Sequence, residues 1–118
     1  MLFRSRGALL ESDLQVYAIG IFDDDFTRNH SPEEAKGPMV LEDLASHTGG
    51  RLFRTGKLDE LPEIGSRLSR ELRQQYVLGY YSSNGAQDGK YRHVKVQVSS
   101  DLPELRVSFR TGYYAPSE

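Results

Sequence analysis

Val16-Tyr17-Ala18-Ile19-Gly20-Ile21-Phe22 is a nearly continuous apolar run that stops abruptly at Asp23-Asp24-Asp25. The run is rich in β-forming residues and bounded by polar ones. It therefore predicts a strand covered on both faces, as in a parallel sheet. Downstream, residues 27–36 are polar and contain Asn29, Ser31 and Pro32, which predicts a loop. Gly37-Pro38 opens a helix, because proline in the first turn has no N–H bond to lose. Val40, Leu41, Leu44 and Ala45 form that helix's apolar stripe, and Gly49-Gly50 supplies its stop. A short strand around Leu52 and Phe53 follows, then a turn at Thr55-Gly56. Strand, helix and strand in this order predict a βαβ unit with parallel pairing.

Working outward, Leu2, Phe3, Leu9 and Leu10 can share one face of an N-terminal helix. Leu58, Leu61, Ile64, Leu68 and Leu72 recur at three- and four-residue steps among charged residues. They predict an amphipathic helix from about Asp59 to Arg73, with Pro62 in its first turn. From Tyr76 the period becomes two. Tyr76-Val77-Leu78-Gly79-Tyr80-Tyr81 predicts a strand, as do the alternating Val94, Val96, Val98 and Leu105, Val107, Phe109. Asn84-Gly85, Asp88-Gly89 and Pro103 mark the turns between them. These strands predict an antiparallel meander.

The chain has 118 residues, the size of one domain. Its formal net charge of -2 at pH 7 gives no pull toward nucleic acid. Its longest apolar runs are far short of the ~20 residues a membrane helix needs. The N-terminal residues offer no apolar stretch long enough for a secretory signal. With no cysteine there is no disulfide framework, no thiolate zinc site and no cysteine nucleophile, and the redox compartment is not fixed.

Asp23, Asp24 and Asp25 form the sharpest polar cluster, placed where open α/β sheets hold their ligands. Three consecutive carboxylates do not converge easily on one cation, so a solvated acidic loop is the plainer expectation. His30, His47 and His93 lie on different elements without zinc spacing, and His93 falls on the wet face of its strand. There is neither a Gly-x-Ser-x-Gly elbow nor a Gly-x-x-x-x-Gly-Lys phosphate loop. No catalytic residue, metal ligand or cofactor is expected. Tyr76, Tyr80, Tyr81, Tyr91, Tyr113 and Tyr114 crowd the C-terminal third. Cross-strand packing accounts for most of them, while Tyr is also a good interface anchor. Asp23, Asp24, Asp25, Tyr80, Tyr113 and Tyr114 are the candidate interaction surface.

The run from Val16 to Phe22, followed by Asp, resembles a late central strand of a von Willebrand factor type A domain. The stretch from Leu41 to Phe53, with Leu44-Ala45 and Thr48-Gly49-Gly50, is similar to the helix and edge strand that come next in that family. Leu72 to Tyr81, Asp88 to Val96 and Gly112-Tyr113-Tyr114-Ala115-Pro116 resemble the ending of the acidobacterial, VWFA-related type. The family's metal site begins at an Asp-x-Ser-x-Ser loop, and this sequence contains none. The resemblance thus implies the C-terminal portion of such a domain, with no metal-site residue to carry over. It further implies a larger bacterial parent, exported or of the cell envelope.

The expected fold is α/β. Residues 1–74 form a Rossmann-like part with parallel strands, residues 75–118 add antiparallel strands, and together they make one mixed sheet in a single domain. The expected function is a non-catalytic protein-interaction or adhesion-like module with a protein partner. A homodimer or weak self-association through an unpaired strand edge is also expected. The alternatives are a hydrolase fragment completed by a partner chain and a structural remnant without a ligand.

Overall fold

Strand β1 (Ala18–Ile21) and strand β2 (Leu52–Thr55) pair in parallel, with Ala18 opposite Leu52 and Ile21 opposite Thr55. The computed structural model describes residues 2–117. Between the two strands run α2 (Asp24–Asn29), a 3-10 turn (Glu34–Lys36) and α3 (Gly37–His47), while α1 (Leu2–Glu11) precedes them. The βαβ unit read from the sequence is therefore present. Residues 27–36, expected as a loop, instead carry the end of α2 and the 3-10 turn. A capping box explains part of this. Ser31 N–H donates to Glu34 Oε2 at 2.9 Å, and Glu34 N–H donates to Ser31 Oγ at 3.3 Å.

The Thr48-Gly49-Gly50 word closes the unit through three separate devices. The Thr48 hydroxyl, on a residue only 1% exposed, donates to Ala45 O at 2.8 Å and accepts from Val16 N–H at 2.9 Å. It thereby ties the end of α3 to the approach of β1. Gly49 takes φ +87, the left-handed conformation that ends a helix cheaply only in glycine. Gly50 brings its backbone against Val16, where a Cβ would stand 1.9 Å from the Val16 carbonyl oxygen.

Helix α4 (Leu61–Arg73) follows a 3-10 turn at Leu58–Glu60, so the α-helix starts two residues after the expected Asp59. Its stripe buries Ile64, at 4% exposure, and half-buries Leu61 and Leu68, but leaves Leu72 48% exposed. Phe53 of β2 is equally buried, with the Arg51 guanidinium 4.3 Å and that of Arg67 5.7 Å from its ring centre. An Arg51–Glu71 ion pair joins β2 to α4.

The C-terminal part departs most from expectation. Strand β3 (Tyr91–His93) pairs antiparallel with β4 (Gly112–Tyr114), with Tyr91 opposite Tyr114 and His93 opposite Gly112. This pair is a separate sheet, so the described residues hold two two-stranded sheets in place of one mixed sheet. Among the described residues, Tyr76–Tyr81 joins no ladder, and neither does the Leu105–Phe109 run. Val94 retains one bond, from its N–H to Thr111 O at 2.9 Å. The physical reason is that an alternating sequence selects extended backbone, whereas a ladder also needs a neighbour of matching register. The side chains register the loss: Val77 is 98% exposed and Tyr76 90%.

Strand β1 is likewise open, contrary to the expected burial of both faces. It has β2 as its only strand neighbour among the described residues, and Ile19 and Ile21 are 45% and 43% exposed. The chain as a whole is spread out, with a radius of gyration of 17.2 Å and an accessible surface of 9799 Å². A compact domain of this length has about 13.5 Å and about 6,500 Å². The N- and C-terminal regions still meet. Helix α1 packs on β4, and the Arg110 guanidinium donates to Leu10 O at 2.5 Å.

Candidate functional site

In a parallel pair, the carboxyl ends of the strands face connecting loops rather than hairpins, and ligands of open α/β sheets gather there. This chain has a cleft of about 570 Å³ at that place, within the range of small-molecule sites. Phe22 and Thr55-Gly56, just past β1 and at the end of β2, form one wall. His30, Ala35, Pro38 and Met39 from the crossover form another, and Arg54 and Glu60 complete it.

The polar groups of the cleft are largely engaged with one another. Thr55 Oγ1 accepts from Lys57 N–H at 3.1 Å, and its hydroxyl donates to the Glu60 carboxylate. The Arg54 guanidinium pairs with Glu42 at 2.8 Å and lies 5.9 Å from the Phe22 ring centre. At the cleft's edge, the Glu34 carboxyl is held below the usual carboxylate range, first by the Ser31 N–H and then by the Ser31 hydroxyl. This arrangement can hold a ligand by apolar contact with Phe22, Pro38 and Met39.

The acidic run lies beside this cleft in sequence, directly after β1. Asp23 and Asp25 are exposed, and the side chain of Asp24 lies outside the described residues. Asp24 and Asp25 begin α2 and so are not the loop that was expected. Among the described residues, no three His, Asp or Glu side chains are grouped to hold a metal ion.

The tyrosines divide into two sets by strand alternation. Tyr113 and Arg92 lie opposite each other on one face of the β3–β4 ribbon, and Tyr91, His93 and Tyr114 occupy the other. On the first face, the Ser82 hydroxyl, followed by that of Tyr80, holds the Tyr113 hydroxyl below the ordinary phenol range, while Tyr113 pushes that of Tyr80 above it. Tyr114 packs edge-on against Tyr91, with ring centres 5.1 Å apart. The structure thus brings Tyr80 and Tyr113 together, sends Tyr114 to the opposite face, and leaves the aspartates at the end of β1 in the other sheet's neighbourhood.

Sequence reasoning missed Ser82, which joins the tyrosine pair, and His30, Arg54 and Glu60, which line the cleft. The available signal for the last three was their position in segments at or just past predicted strand ends. Among the described residues, no helix is long and apolar enough to cross a membrane. No family model matches the chain, and no curated protein or solved structure matches it.

Proposed function

We propose that this chain is a non-catalytic protein-interaction module, adhesion-like in character, related to the C-terminal portion of von Willebrand factor type A domains. What carries the proposal is the unpartnered extended segment Tyr76–Tyr81. Its Val77, Leu78 and Tyr81 side chains are 98%, 74% and 103% exposed. Contiguous exposed apolar residues mark places where another molecule docks. A segment outside any ladder accepts a partner strand by main-chain hydrogen bonds, with alternate side chains supplying selectivity. The surface in excess of a compact domain, about 3,300 Å², is more than the ~800 Å² each partner gives to a standard interface. Strand β1, with an open edge and exposed Ile19 and Ile21, offers a second place for strand addition.

The partner is a protein: either another polypeptide of the same assembly or a second copy of the chain. Sedimentation velocity at rising concentration distinguishes the two, since only self-pairing makes the sedimentation coefficient grow with concentration. The docking segment itself is tested by Val77→Asp with Leu78→Asp. Both residues are exposed, so the fold tolerates the change and the far-UV spectrum stays the same. The double variant loses the protein captured by the wild-type chain, or loses its self-association. A double variant that binds as the wild type does would refute this segment as the docking site.

A further inference from the structure

We propose that a small cleft between α1, α3 and the β3–β4 ribbon is a proton-dependent site for a small oxyanion such as sulfate or phosphate. This second cleft, about 270 Å³, is lined by Arg6, His47, Tyr91, His93, Thr111 and Tyr114. It is independent of the docking segment and lies on the ribbon face opposite Arg92 and Tyr113. Three side chains able to carry positive charge thus converge from three different elements on one cavity. The Tyr114 hydroxyl is able to donate a hydrogen bond, while the Thr111 hydroxyl donates to His47 O at 3.4 Å and lies 3.5 Å from that of Tyr91.

The charge balance of the cleft depends on protons. Arg6 is a permanent cation, but its guanidinium lies 3.4 Å from Asp43 Oδ2, which offsets it at neutral pH. Arg110 adds a second fixed cation from behind, bound to the Leu9 and Leu10 carbonyls at the end of α1. The carboxyl end of α3 contributes negative partial charge and opposes an anion. His47 Nδ1 is 2.7 Å from the Asp43 carbonyl oxygen and 3.3 Å from Asp43 Oδ1. A carbonyl oxygen only accepts, so Nδ1 carries the hydrogen and Nε2 is the atom that takes the second proton. His93 stands edge-on to Tyr91, with ring centres 5.0 Å apart. Histidine is the side chain that gains charge between pH 8 and pH 5. Protonating both rings adds two cations to a cleft where Arg6 is offset by Asp43 and Arg110 is engaged by backbone carbonyls, and charged donors bind oxyanions more strongly than neutral ones.

Sulfate is the appropriate probe because its own charge does not change over this pH range. The full chain is titrated with sodium sulfate at pH about 5.5 and about 7.5, and the histidine ring protons are followed by NMR. The expected result is saturable movement of the His47 and His93 signals at the lower pH, with His30, which lines the other cleft, unmoved. Affinity falls about tenfold at the higher pH, the effect of losing one or two charge-assisted contacts. His47→Gln with His93→Gln removes the pH dependence, and Arg6→Gln weakens sulfate at both pH values. Equal affinity at the two pH values, or a His30 signal that moves with the others, would overturn the proposal. So would pH dependence that survives in a folded double-histidine variant. The wild-type titration decides the matter even where a variant does not fold.

Discussion

Replacing Thr48 by valine keeps the shape of the side chain and removes one oxygen. That oxygen is the acceptor for Val16 N–H at 2.9 Å and the donor to Ala45 O at 2.8 Å. The two partners fare differently. Ala45 O still receives the N–H groups of Thr48 at 3.2 Å and Gly50 at 3.0 Å, so it is not stranded. Val16 N–H loses its acceptor. A lost neutral hydrogen bond costs about 1 kcal/mol, and a stranded buried donor about 1–3 kcal/mol. Val16 is half-buried, so water relieves part of the second cost, and the sum is about 1.5 kcal/mol. For a domain of this size that lowers Tm by about 6 °C. Thr48→Ser retains the oxygen and gives up one methyl group, about 0.8 kcal/mol. Urea unfolding followed by circular dichroism measures both variants, and amide exchange at Val16 separates them. In Thr48→Val the Val16 amide loses protection, and in Thr48→Ser it keeps it. A Thr48→Val variant as stable as the wild type, or one with Val16 still protected, would show that the hydroxyl does not tie α3 to β1.

Ile64→Ala, at the centre of the α4 stripe, costs about 2–3 kcal/mol in urea unfolding, the lower end for such truncations because the surroundings are open enough to relax. The half-buried Leu68 tolerates alanine better, and equal costs at the two positions would contradict the packing of α4 described above. Millimolar Mg²⁺ or Ca²⁺ moves Tm by less than about 1 °C, since stabilisation follows free ion over Kd. A rise of several degrees, abolished by Asp23→Ala with Asp24→Ala, would establish a cation site at the acidic run. Two carboxyls contribute to the acid behaviour. The Ser31 N–H lowers Glu34, and the Lys90 N–H, followed by Arg92, lowers Asp88. Folded-state values below the unfolded ones mean that the folded chain binds fewer protons, so this stability is full at neutral pH and is lost as pH falls below about 4. Glu34→Gln with Asp88→Asn flattens the fall of the urea midpoint in that window, and an unchanged slope would mean that other groups govern it.

The elements legible in the sequence are those decided by short-range chemistry. Leu61, Ile64 and Leu68 gave α4 its spacing, and Gly49-Gly50 marked the stop of α3, which ends at His47. The six-residue α2 was missed because Asp24–Asn29 carries no apolar stripe and its carboxylates look like loop. The pairing of Tyr76–Tyr81 was misjudged for a different reason. A period of two identifies the extended backbone but says nothing about which strand, if any, lies beside it. The cleft escaped because His30, Arg54 and Glu60 are scattered along the chain and meet only through the crossover. Tyr80 and Tyr113 were singled out as candidate surface residues, and their proximity is a tertiary fact that composition does not encode.

The Arg110 guanidinium, bound to carbonyls of Leu9 and Leu10 a hundred residues earlier, sets an order of events on the ribosome. The β1–α3–β2 unit and α4 are complete once residue 73 has left the exit tunnel. Helix α1, made about a hundred residues before β4, has to wait for that strand, on which it packs. At ~5–20 residues per second, that leaves α1 with α3 as its neighbour but without β4 for several seconds. Through that interval its apolar side chains are offered to chaperones or to neighbouring nascent chains, and contacts of such long sequence separation form slowly. A synonymous change that alters translation speed between residues 74 and 110 therefore acts on α1, although it lies far from that helix in the gene.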